Sequence, residues 1–130
     1  MSLILMIDDD KDLAESAKIV LEGAGHRFEW ARNGAEGLAK ATELKPDLIL
    51  LDVMMEQDDD GFVAAQEIRA LGMKTPIVML SNIGNIMGMT FGRDDEMAPV
   101  EEFTYKPIEP AALLELAAKY AGRGGKENPT

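Results

Sequence analysis

The sequence predicts a doubly wound α/β fold, a five-stranded parallel sheet in the order 2-1-3-4-5 with helices on both faces. Three observations predict it. Along 130 residues, short apolar runs alternate with segments whose apolar positions repeat at helical spacing, and right-handed crossovers make such alternation a parallel sheet. The run Leu48 to Leu51 is apolar without alternation, as in a strand buried on both faces. Finally, the runs end in polar residues, Asp8, Asp52 and Ser81, at the edge where sheets of this kind bind ligands.

Leu3 to Ile7 is the first strand, and Leu13, Ala17, Val20, Leu21 and Ala24 mark one face of the helix after it. Gly23 and Gly25 stop that helix, and His26 to Trp30 suits a second strand with Phe28 and Trp30 on one side. Asn33 with Glu36 reads as a capping box for a helix to about Glu43, before Lys45-Pro46-Asp47 breaks the chain. After the third strand, Phe62, Ala65, Ile68 and Leu71 repeat at helical spacing up to Gly72, and Ile77 to Leu80 is the fourth strand. Glu102 to Tyr105 is a fifth strand, and Pro110 opens a last helix carrying Leu113, Leu114, Leu116 and Ala117. One domain over 1–121 and a loose, glycine-rich tail over 122–130 are expected, with no output domain.

Composition narrows the chemistry. With no cysteine and one histidine, disulfides, thiolate zinc sites and histidine-clustered metal sites are excluded, so a metal would be held by oxygen. The apolar amino terminus is short, has no basic flank and meets Asp8 at once, so neither a signal peptide nor a membrane span is expected, and the chain reads as cytoplasmic. A formal net charge of -11 argues against direct contact with nucleic acid or anionic lipid, either of which calls for a basic face.

In the predicted order the switch point lies between strands 1 and 3, so Asp8 and Asp9 meet Asp52 there, with Ser81 and Lys106 at the ends of strands 4 and 5. Converging carboxylates repel one another and call for protons or a cation. With Mg²⁺ (or Mn²⁺) held, one carboxylate can attack phosphorus while the metal, a hydroxyl and a lysine neutralise the phosphoryl oxygens.

At these residues the chain resembles the response-regulator receiver domain of two-component signalling, in its stand-alone form. The resemblance runs from Leu3 to about Gly122 and rests on Asp8-Asp9, on Pro-Asp-Leu-Ile-Leu-Leu-Asp52, on Thr-Pro-Ile-Val-Met-Leu-Ser81 and on Lys106-Pro107. It implies a flavodoxin-like fold and a phosphoacceptor protein, not an enzyme, in which Asp52 takes a phosphoryl group from a kinase histidine. It further implies that Asp9 and the Met54 carbonyl bind Mg²⁺ with Asp52, that Asp8 assists through water, and that Ser81 and Lys106 contact the phosphoryl group. Phe103, with Ser81, would report the switch, and the Lys106–Pro107 peptide would be cis.

Departures from the family pattern are local. Glu56 stands in place of a proline, Glu56 to Asp60 is one residue longer and more acidic, and Asn82 replaces a small residue. Gly84, Gly88 and Gly92 should leave 83–99 a short or frayed element, suited to a switching surface. The expected partners are a sensor histidine kinase or phosphotransfer protein and a downstream protein target, with no direct nucleic acid, no membrane, and a phosphorylation-dependent homodimer allowed. Asp8-Asp9-Asp10 also satisfies the Asp-x-Asp of haloacid-dehalogenase-like phosphatases, which would make Asp8 the nucleophile, although Asp12 stands where that family expects Thr or Val. A flavin carrier would need a hydroxyl- and glycine-rich phosphate loop after strand 1, which this sequence lacks.

Overall fold

The computed structural model describes residues 2–52, 60–81, 102–105 and 108–121. Expectations placed on the acidic loop up to residue 59, on 83–99, on the Lys106–Pro107 peptide and on the tail from 122 lie outside the described residues.

The sheet contains β1 (Leu3–Ile7), β2 (Arg27–Ala31), β3 (Leu48–Asp52), β4 (Ile77–Ser81) and β5 (Glu102–Tyr105), all parallel, in the order β2-β1-β3-β4-β5. This is the predicted doubly wound topology. The helices are α1 (Lys11–Gly23), α2 (Gly34–Leu44), α3 (Asp60–Ala70) and α4 (Pro110–Leu116), the last running into a π-helical turn, Ala117–Ala121. Among the described residues no helix is long and apolar enough to cross a membrane.

Strand alternation divides the core in two. Ile4, Met6, Leu48, Leu50, Val78 and Leu80 face α1 and α4, where Ala14, Ala17, Leu21, Leu113, Leu116 and Tyr120 cover them. Leu5, Ile7, Ile49, Leu51, Ile77 and Met79 face α2 and α3, meeting Ala41, Ala64, Ala65 and Ile68. Every residue of β1 and of β3 is buried, as the unbroken apolar run Leu48 to Leu51 predicts for a central strand covered on both sides.

Several boundaries differ from the sequence expectation. The second strand starts at Arg27 and ends at Ala31, one residue later than the sequence suggests. The backbone N–H of His26 instead donates to the Leu21 carbonyl at 3.0 Å, closing the end of α1. Ala24, expected on the inner face of α1, is the exposed C-cap, because the helix has already ended at Gly23. Leu71 is 54% exposed, since α3 stops at Ala70 and the turn carries the next side chain away from the core.

The amino end of α2 carries a variant of the expected capping box. Asn33 Oδ1 accepts from the Glu36 N–H at 2.8 Å, while Glu36 Oε1 accepts from the N–H of Arg32, one residue before the cap, at 3.0 Å. That backbone hydrogen bond is the main cause holding the Glu36 carboxyl below the ordinary glutamate range. A depressed folded value means the carboxylate stabilises this helix start above the ordinary glutamate range, and that contribution fades as pH falls through the folded value.

Gly37 is where α2 comes down onto β1. A Cβ there would stand 2.7 Å from Ile7 Cγ1, so the missing side chain sets the helix-to-sheet distance. Gly23, in contrast, has nothing within 4 Å of where a Cβ would be. The two glycines should therefore respond oppositely to alanine. Gly37→Ala is expected to lower stability by about 1 to 2 kcal/mol through overpacking, and Gly23→Ala to raise it by about 0.5 kcal/mol through helix propensity; urea unfolding of both variants reads the signs.

Candidate functional site

The carboxylates come together because of strand register. Ile4 pairs with Leu48 and Met6 with Leu50, and these partners face the same side of the sheet. Two residues further along each strand stand Asp8 and Asp52. Register is fixed at the opposite end by Asp47, whose N–H donates to the Leu3 carbonyl at 2.7 Å and whose Oδ2 accepts from the Leu3 N–H at 2.8 Å. Nothing in the spacing of Pro46-Asp47 announces that role.

Oxygen atoms of Asp8, Asp9 and Asp52 lie within 4.8 Å of one another. Asp8 is fully buried and Asp52 is 5% exposed, whereas Asp9 is open to solvent. The Asp8 backbone N–H continues the sheet by donating to the Ala31 carbonyl at 3.0 Å, and Asp8 Oδ1 accepts from the Asp10 N–H at 2.9 Å. Asp10 takes a separate task. Its Oδ1 accepts from the Leu13 N–H at 3.1 Å as the N-cap of α1, leaving Asp8 and Asp9 for the site.

Beyond Asp52 the sheet edge rises in order. Leu80 pairs with Asp52, so Ser81 is one residue past the acceptor strand's partner, and Ser81 pairs with Tyr105, the residue before Lys106. The side-chain roles of Ser81 and Phe103, the Met54 carbonyl and Lys106 itself fall outside the described residues.

The donors are three carboxylates, with neither nitrogen nor sulfur, a set that fits a hard divalent cation such as Mg²⁺ or Mn²⁺. Two unit charges at this separation repel by about 3 kcal/mol at an effective dielectric of 20, and solvent over Asp9 reduces its share. The fit is therefore electrostatic as well as geometric.

Sequence comparison decides what kind of domain this is. The sequence model of the response regulator receiver domain matches residues 4–118. The chain belongs to that family. Among curated receiver proteins it is 34% identical, over 88% of its length, to the DNA-binding dual master transcriptional regulator RpaA of Synechocystis, of which it covers 46%. It is 31% identical, over 98% of its length, to the transcriptional regulatory protein AfsQ1 of Streptomyces coelicolor, of which it covers 55%. Solved structures agree in fold: the Vibrio cholerae chemotaxis protein CheY4 has a TM-score of 0.78 at 27% identity, covering 92% of this chain and 98% of that one. A CheY-like receiver protein from Methanospirillum hungatei gives 0.79 at 26%, with 98% and 99% covered.

As a receiver domain of a response regulator the chain is a signalling module of two-component systems, and the phosphatase alternative gives way to it. One expectation is overturned. A regulatory line with a protein target and no nucleic acid does not agree with these relatives, the first of which is a DNA-binding regulator. The chain spans about half the length of the curated relatives it matches, so an acidic receiver is compatible with DNA contact made elsewhere in such proteins.

The sequence reasoning also missed the groups that hold the acidic turn from outside it. Trp30 Nε1 donates to the Asp8 carbonyl at 2.7 Å, and Lys40 Nζ donates to the Trp30 carbonyl at 2.9 Å. Alternation places Trp30 beside Phe28 on β2 but carries no sign of this polar contact.

Charge crowding at the three carboxylates makes a measurable prediction. Asp9→Asn should raise stability by about 1 kcal/mol in chelator, because it removes one like charge at little packing cost. The same substitution should remove most of the rise in Tm that Mg²⁺ gives the unsubstituted protein, and thermal unfolding with and without the ion reads both effects.

Proposed function

We propose that the domain receives a phosphoryl group on Asp52 from a phosphohistidine of its cognate kinase, with Mg²⁺ or Mn²⁺ held by Asp8, Asp9 and Asp52. The observation that carries this reading is the clustering of the three carboxylates at the β1–β3 switch point in a chain of this family. When bound, the divalent cation would supply positive charge to the carboxylates and to the incoming phosphoryl oxygens.

Asp52 is the nucleophile. One carboxylate oxygen forms the new O–P bond as the N–P bond to the donor imidazole breaks, and the imidazole departs with the electron pair. Burial at the mouth of the sheet, with Asp52 only 5% exposed, keeps most water from its carboxylate. Asp8, held by the Asp10 N–H, keeps its carboxylate at the metal end of the site. Ser81, at the end of β4, would turn its hydroxyl to a phosphoryl oxygen, and Lys106, next in sequence to Ser81's strand partner, would bring an ammonium to another. Phe103, also on β5, would follow Ser81 in the switched state and alter a surface of the domain. The same residues serve the return step, in which water takes the phosphoryl group from Asp52.

Labelled phosphoramidate with Mg²⁺ tests the scheme without a known kinase. Label should enter the unsubstituted protein, be lost in chelator, and be absent from Asp52→Asn. Incorporation that persists in Asp52→Asn, with label recovered on Asp8, would overturn it.

A further inference from the structure

Asp9 is the exposed member of the cluster, and among the described residues no hydrogen bond holds its carboxylate. Its direction must come from its backbone. The peptide joining Asp8 to Asp9 is planar, so whatever fixes the Asp8 carbonyl also fixes the Asp9 nitrogen and Cα. That carbonyl accepts a hydrogen bond from Trp30 Nε1 at 2.7 Å.

Trp30 pairs with Met6 in the sheet, and its ring reaches two residues further to the acidic turn. The tryptophan is itself held. Lys40 Nζ, on α2, donates to the Trp30 carbonyl at 2.9 Å and stands 3.6 Å from Glu29 Oε1, while the ring packs at the border of the α1 core. The half-buried indole lines an open groove of about 400 Å³ with Phe28, Ala14 and Lys18. An apolar ring of similar size would pack there equally well, so packing alone does not require an N–H at this position.

We propose that Trp30 is a positioning residue for the acidic site, its indole N–H pinning the Asp8–Asp9 peptide so that the Asp9 carboxylate faces those of Asp8 and Asp52. The inference builds on the metal-binding reading above, but its first consequence, order at Asp9, is independent of any metal. Trp30 touches neither phosphorus nor the ion, and acts through the main chain.

The test replaces Trp30 with phenylalanine and, separately, with the isosteric benzothienylalanine, which keeps the bicyclic ring and lacks the N–H. Backbone ¹⁵N relaxation in the metal-free protein is expected to show a loss of order at the Asp9 amide in both variants, with Tm for the isostere lowered by no more than the few degrees one hydrogen bond is worth. Calorimetric Mg²⁺ titration is expected to show binding weakened about three- to tenfold, the range one hydrogen bond covers. Unchanged order at Asp9 in the isostere overturns the inference, as does a loss of order with undiminished Mg²⁺ affinity. Failure of the unsubstituted protein to bind Mg²⁺, with the loss of order at Asp9 present, leaves the positioning role standing and removes the metal reading instead.

Discussion

The pairing of β1 with β3 is the constraint on which the site depends. A slip of one residue would turn every side chain of one strand to the other face, separating Asp8 from Asp52 and exchanging the two halves of the core. Two kinds of force oppose that slip. The ten residues of the two strands are buried, so a slip would set the apolar partners of the α1 face against those of the α2 face. Asp47 adds a polar lock at the amino end, accepting from and donating to the same residue, Leu3. Apolar burial and one well-placed carboxylate at the bottom of the sheet thus determine where three carboxylates stand at the top.

Placing acidic groups at a sheet edge works against folding, and the architecture limits that cost by dividing their tasks. Asp10 serves the helix, Asp8 is tied to the backbone, Asp52 ends a central strand, and of the three clustered carboxylates only that of Asp9 stands in water. The site gathers three carboxylates while only two of them are buried. The opposite end of the molecule is fastened by unlike charges: Glu102 Oε1, on β5, accepts from Lys119 Nζ at 3.2 Å and from the Tyr120 hydroxyl. Burial, and then this contact, raises the Tyr120 phenol above its ordinary value.

The strands, the helix faces and the carboxylate cluster were legible because each rests on periodicity or on strand ends, both one-dimensional. Ala17 and Leu21 follow directly from the 3.6-residue repeat, and Asp52 from the abrupt end of an apolar run. Ala24 and Leu71 were misplaced because a hydrophobic pattern does not know where the helix carrying it stops. Trp30 and Asp47 stayed hidden for another reason. Each acts through a hydrogen bond between distant parts of the chain, and no local spacing encodes a carbonyl 22 positions away. The charge of the chain, in turn, describes its own surface and not the functions of proteins twice its length.

The contact between Trp30 and the Asp8 carbonyl has an optical consequence. The chain contains a single tryptophan, so all of its indole emission arises from one ring. That ring is half-buried and hydrogen-bonded to the turn that carries the acidic pair. In most proteins intrinsic fluorescence averages several environments, but here the spectrum belongs to one ring on β2, in direct contact with the acidic turn. The molecule is, in effect, labelled at its own site.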